Sequence, residues 1–237
     1  MPSDLIERGD RRRDDLPSRF SDDFDAIITA LGSGDEHDRE EAVDALSELG
    51  DERVVLPLIR ALDDASPYVR RAAAEALGRS SAIKAVRPLI KSLTDDDRYV
   101  REAASEALGH LGDIAIPDIL SGLDDTDWRI RLGGVVALRV SSGIVPSLDP
   151  VIRRVSDDSP YVRREAVKTM GRIGDHRILP YLIEMTNDSD PGVRLRALRA
   201  VTKVGTGEER EKVLKRCMQD PDNTIRVLAA EELKHIS

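Results

Sequence analysis

Apolar and polar positions along this chain return in a block of 30 to 32 residues, marked each time by an arginine: Arg39, Arg70, Arg101, Arg131, Arg163, Arg194 and Arg226. Three residues later stands a small side chain: Ala42, Ala73, Ala104, Gly134, Ala166, Ala197, Ala229. Seven residues later stands a larger apolar one: Leu46, Leu77, Leu108, Leu138, Met170, Val201, Leu233. Offsets of three and seven share one face of a helix, so each arginine opens an amphipathic first helix. Its small residue predicts close approach by a neighbouring helix. Glycine at offset eleven (Gly50, Gly112, Gly174, Gly205) predicts a left-handed cap at the helix end. A second helix follows, seen in Pro57-Leu58-Ile59-x-x-Leu62 and Pro88-Leu89-Ile90-x-x-Leu93 and echoed from Pro150 and Pro180, with Pro117 displaced by one. Proline suits the first turn, where its missing donor costs nothing. An aspartate-rich turn then leads to the next arginine: Asp63-Asp64, Asp95-Asp96-Asp97, Asp124-Asp125, Asp157-Asp158, Asp188 with Asp190, Asp220 with Asp222. Those carboxylates can cap the following helix and favour its positive end. Their spacing from the arginines also predicts a structural ladder of ion pairs rather than a ligand site. No period-two run of useful length predicts a strand.

The motif Asp-x-x-x-Tyr-Val-Arg-x-x-Ala-x-x-x-Leu-Gly, at residues 64–78 and 95–109, resembles the HEAT repeat. It is most similar to the short HEAT-like version named after the phycobilisome lyases. The resemblance implies an all-α, right-handed α-solenoid of about six to seven two-helix repeats, with the second helices on its concave side. On this basis residues 21–237 are expected to form a single solenoid domain, and residues 1–20 a flexible charged tail containing Arg11-Arg12-Arg13. A half unit at Phe24–Leu31, sealed by Phe20 and Phe24, is expected to cap the N-terminal end. Asp38 replaces the apolar residue that precedes the anchor elsewhere, and Glu232 replaces a small one in the last unit. Both are expected to put charge where no further repeat packs.

Charge and composition narrow the function. Of 237 residues 34% are charged and only 3% aromatic, and the net charge is −9. Such acidity argues against nucleic-acid binding, which draws on a dominant basic field. The single cysteine, Cys217, excludes an internal disulfide, and no membrane-length apolar run occurs. A cytoplasmic chain is expected, and the excess of arginine over lysine points to a prokaryotic source. The four histidines are scattered without a metal-binding motif. A HEAT-like enzyme, deoxyhypusine hydroxylase, binds iron through His-Glu pairs, yet no histidine here precedes a glutamate. No phosphate-binding glycine loop, nucleophile elbow or CxxC is present. Neither catalysis nor a cofactor is expected.

Two surfaces remain as candidates. Cations gather on the second helices at Arg60, Lys91, Arg153 and Lys215, flanked by Arg87, Arg154 and Arg216 and aligned with Ser121 and Ile183. If that column is exposed on the concave side, it suits a protein partner with an acidic surface. Tyr68, Tyr99 and Tyr161 precede the Val-Arg pair in three units, with Trp128 nearby, and form a secondary recognition edge. A scaffold or adaptor is the expected function. A bilin-lyase-like cofactor or subunit chaperone is the alternative that the family name implies, and nucleic-acid binding along a basic strip is the second alternative.

Overall fold

The computed structural model describes residues 23–141 and 148–235, so the charged tail and Phe20 lie outside it. The described residues form helices and no strands. A short α1 (Phe24–Leu31) precedes α2 (Glu36–Leu49). Second and first helices then alternate: α3 (Val55–Ala61), α4 (Pro67–Arg79), α5 (Val86–Ser92), α6 (Arg98–His110), α7 (Ile116–Gly122), α8 (Trp128–Val140), α9 (Asp149–Arg153), α10 (Pro160–Ile173), α11 (Leu179–Met185), α12 (Pro191–Val204), α13 (Gly207–Cys217) and α14 (Asn223–Lys234). Even-numbered helices from α2 to α14 carry the anchor arginines and form one layer. The second helices, α3 to α13, form the other, and the molecule is an α-solenoid.

The predicted core positions are buried. Six of the small residues at offset three, from Ala42 to Ala229, have no exposed surface, and the second helices contribute Leu58, Leu89, Ile119, Leu182 and Leu214 between the layers. Small residues also draw the arginine helices together one turn further on. A Cβ at Gly78 would lie 2.7 Å from the Cα of Ala107, one at Gly109 2.9 Å from the Ala137 carbonyl oxygen, and one at Gly171 2.7 Å from the Ala200 Cβ. Gly50, Gly112 and Gly174 take positive φ as predicted. At the matching position of the second unit Ser81 does so too, with φ 52°. Gly205 does not: its φ is −77°, and Gly207 at +60° makes the turn into α13 instead.

An arginine ladder joins the units. Each anchor sends Nη1 to the carbonyl six residues upstream at 2.6–3.0 Å. In five units the Nε and Nη2 edge also grips an aspartate of the next turn at 2.7–2.9 Å: Arg39–Asp64, Arg70–Asp95, Arg131–Asp157, Arg163–Asp188 and Arg194–Asp220. Each of these aspartates also accepts the backbone N–H two residues on, so one turn is held from both sides. Arg101 lacks this second grip among the described residues. Its counterpart, Asp125, follows after 24 residues where the other pairs are separated by 25 or 26, because α7 begins 15 residues after its anchor where α3, α5 and α11 begin 16 after theirs.

Both ends differ from the middle. Asp38 is half-buried and accepts a hydrogen bond from Ser33 Oγ at 3.0 Å, facing the turn after α1. Arg53 lies 4.8 Å from the ring centroid of Phe24. Glu232 corrects the expectation. It faces back into the stack and pairs with Arg210 at 2.8 Å, because its helix position is the one that meets the preceding unit.

Candidate functional site

The cation column of the second helices separates into bound and unbound members. Arg154 is structural: its side chain is 15% exposed, and its guanidinium donates to the Leu123 carbonyl at 2.6 Å and to Asp124 at 3.1 Å. Arg216 reaches back to Thr186 Oγ1 in the same manner. Lys215 pairs with Glu211 and Lys91 with Asp63. Arg87 stands in solvent, 3.9 Å from Asp118. Arg60 and Arg153 are exposed near the C-terminal ends of α3 and α9, with no ion pair among the described residues. Register interrupts the column further. Relative to buried Leu182, the position equivalent to Arg60 is exposed Glu184, whereas Ile183 is half-buried.

The Gly–Ala and Gly–Val approaches occur between arginine helices, and helix spacing shrinks where contact residues are small. The closer-spaced layer, taken as the inner one, consists of arginine helices α4, α6, α8, α10 and α12, and the second helices with their cations form the outer one.

The aromatic edge borders this inner layer. Tyr68, Tyr99 and Tyr161 are 55%, 59% and 54% exposed, and Trp128 is 37% exposed. Ser66, Asp97 and Asp127 accept N–H groups of the first turns of α4, α6 and α8, which sets where these rings emerge. Trp128 and Tyr161 stack with centroids 5.0 Å apart, and Arg164 lies 5.6 Å from the Tyr161 ring. The Arg164 guanidinium also grips Asp190 and holds that carboxyl down at about 2. It occupies the space a side chain would need at Gly192, the tyrosine position of the next unit.

From the tyrosine position a solvent-facing stripe runs down each inner helix at offsets of three, seven and eleven. Sequence reasoning singled out its first residue and missed the rest. On α8 Arg129 holds the tyrosine position, with Trp128 just before it, and the stripe continues through half-buried Leu132 and Val136. That signal was present as a helical period out of phase with half-buried Ile130 and the buried Gly134 and Leu138. Among the described residues no cluster of three or more His, Cys, Asp or Glu could hold a metal, and no helix is long and apolar enough to cross a membrane. The cavities are open: about 440 Å³ beside the loops at Gly50–Lys84, and about 710 Å³ around Arg70, Arg87 and Lys91.

Known proteins agree with this architecture. A family model described as HEAT repeats matches three overlapping or successive stretches, residues 24–109, 55–139 and 148–234, and the chain belongs to the HEAT-repeat family. Over 91 residues it is 33% identical to a transportin of Dictyostelium discoideum, a match covering 31% of this chain and 10% of that protein. A chain in the structure of Kap95p with RanGDP superposes over 88% of this chain and 35% of its own length, with a TM-score of 0.65 at 13% identity. Escherichia coli YibA gives a TM-score of 0.52 at 21% identity, covering 89% of this chain and 81% of YibA. These likenesses establish the fold alone.

Proposed function

We propose that this HEAT-repeat chain is a non-catalytic scaffold that holds a protein partner along its inner face. The observation that carries this reading is the apolar run on α8, exposed Trp128 with half-buried Leu132 and Val136, set beside the stacked Tyr161 at the centre of an elongated surface. Large aromatic side chains ringed by polar ones are the composition of a binding hot spot. Open cavities, with no metal-holding cluster among the described residues, suit docking better than an enclosed reaction. The test is affinity capture from the native organism, with cross-links mapped by mass spectrometry. Cross-links at α6, α8 and α10 are expected, and the absence of any stoichiometric protein sinks the reading.

A second docking surface for an acidic partner, the outer cations Arg60, Arg87, Lys91 and Arg153, rests on exposed Arg60 and Arg153 having no ion pair among the described residues. Changing Arg60, Lys91 and Arg153 together to Glu abolishes capture if that surface is used and leaves helical circular dichroism intact. The bilin-lyase-like alternative predicts a coloured protein, so a purified chain without visible absorbance removes it. For a nucleic acid, electrophoretic shifts at physiological salt supply the corresponding test.

A further inference from the structure

We propose that the inner face reads charge order: it fits an elongated protein segment that is basic at one end, apolar in the middle and acidic at the other. The inference rests on the scaffold reading and specifies the partner's chemistry. The column at offset five from the anchors runs Glu75, Glu106, Val136, Lys168, Arg199 from α4 to α12. Exposed Glu48, Glu102 and Glu106 carry no ion pair among the described residues, and neither do exposed Arg172, Arg199 and Lys203 in the other half.

In the acidic half Arg71 pairs with Glu75 at 3.6 Å, while Arg79, hydrogen-bonded to Ser47 Oγ at 2.7 Å, and Arg98, 5.7 Å from the Tyr99 ring centroid, keep their charge against the three unpaired glutamates. In the basic half Glu165 is 13% exposed and is bound by Arg139 and Lys168. In the offset-five column negative charge returns at Glu231 on α14. The surface is thus acidic, then apolar, then basic along the stack.

Magnitudes favour reading of order over net charge. Neighbouring helices pack about 8–10 Å apart, so α6 and α10 are separated by roughly 16–20 Å across α8. Screening at physiological ionic strength acts over about 8 Å. Each block is therefore felt by the part of a partner lying on it and is little cancelled by the other block. From α4 to α12 the face spans roughly 32–40 Å, the length of about ten to twelve extended residues. The α8 stripe supplies the apolar anchor between the blocks, and the flanking charges set register.

The test uses the full chain and fluorescently labelled synthetic peptides. One has a lysine block, a Leu/Phe centre and a glutamate block. An isomer has the same composition and centre but alternates the charges. The block peptide is expected to bind about tenfold or more tightly than the isomer, with a preference that fades in high salt. The variant with Glu75→Lys, Glu102→Lys and Glu106→Lys is expected to lose that preference and to favour a peptide with glutamate blocks at both ends. The reciprocal variant, Lys168→Glu, Arg199→Glu and Lys203→Glu, should instead favour lysine blocks at both ends and serves where the first fails to fold. Equal binding of block peptide and isomer overturns the proposal, as does an unaltered preference in a folded variant. Native capture that persists after such a result leaves the scaffold reading standing, whereas failure of capture removes the scaffold reading itself.

Discussion

At Asp188 two arginines meet: the Arg163 edge binds its carboxylate and Arg194 takes its carbonyl. The carboxylate side chain is only 8% exposed, so removing Arg163 strands a nearly buried charge. Arg163→Ala is expected to cost about 2–4 kcal/mol in urea unfolding, while Arg101→Ala, with no carboxylate to strand, costs less. Nearly equal losses would mean that the carboxylate grip contributes little. Acid weakens the same ladder. Burial pushes Asp64, Asp95, Asp157 and Asp220 up, but the arginine edge and a backbone N–H outweigh it and leave each below the usual carboxylate range. Arg164 and a backbone N–H outweigh burial at Asp190 and lower it to about 2. Folding therefore favours the charged forms. Their contribution is fully present above the ordinary carboxylate value, about 4, and is lost as pH falls through the depressed folded values. Urea midpoints should be flat near neutrality and fall from about pH 4 towards 2. A midpoint unchanged at pH 3 would contradict this sign.

At the scale of the helices, contact distance decides which substitutions hurt. A Cβ at Gly78 meets the backbone of α6, which cannot yield alone, whereas at Gly134 its nearest neighbour is a Leu123 methyl at 2.9 Å. Gly78→Leu should therefore destabilise beyond the roughly 1–3 kcal/mol of ordinary overpacking, and Gly134→Leu should stay within that range. Thermal unfolding of the two variants checks the order. Ser81 tests the turn between α4 and α5 from the other direction. A left-handed serine costs about 1–2 kcal/mol, and glycine loses about 0.5–1 through unfolded-state entropy, so Ser81→Gly should stabilise by about 0.5 kcal/mol. A lower melting temperature would show that Ser81 is not strained.

In the whole molecule, units touch mainly their neighbours, so damage should remain near its origin. The missing Arg101–Asp125 grip falls between α6 and α8 and weakens one junction of the stack. Hydrogen exchange is expected to show a lesion such as Gly134→Leu raising opening rates in the units around α8 while α2 and α12 keep their protection. Uniform loss of protection would mean that the stack unfolds as one cooperative unit.

Repeat period, helix order, core positions and the arginine ladder were legible in the sequence, because local spacing alone dictates which residues share a helix face and which turn follows. The 30-residue spacing from Arg101 to Arg131 was visible as well, though not its consequence, since losing the Arg101 grip depends on where α7 then lies. Pairing decided the rest. Arg154 and Arg216 look like Arg60 in one dimension, yet their distances to the preceding unit make them structural. Glu232 looked like an end-capping charge until Arg210 proved to stand opposite it. Which layer packs more closely also needed three dimensions, because small residues act through how closely whole helices approach. Only stacking sets residues of separate repeats side by side on one face. Helical periodicity is written in each unit, whereas a surface that crosses the units exists only once they are stacked.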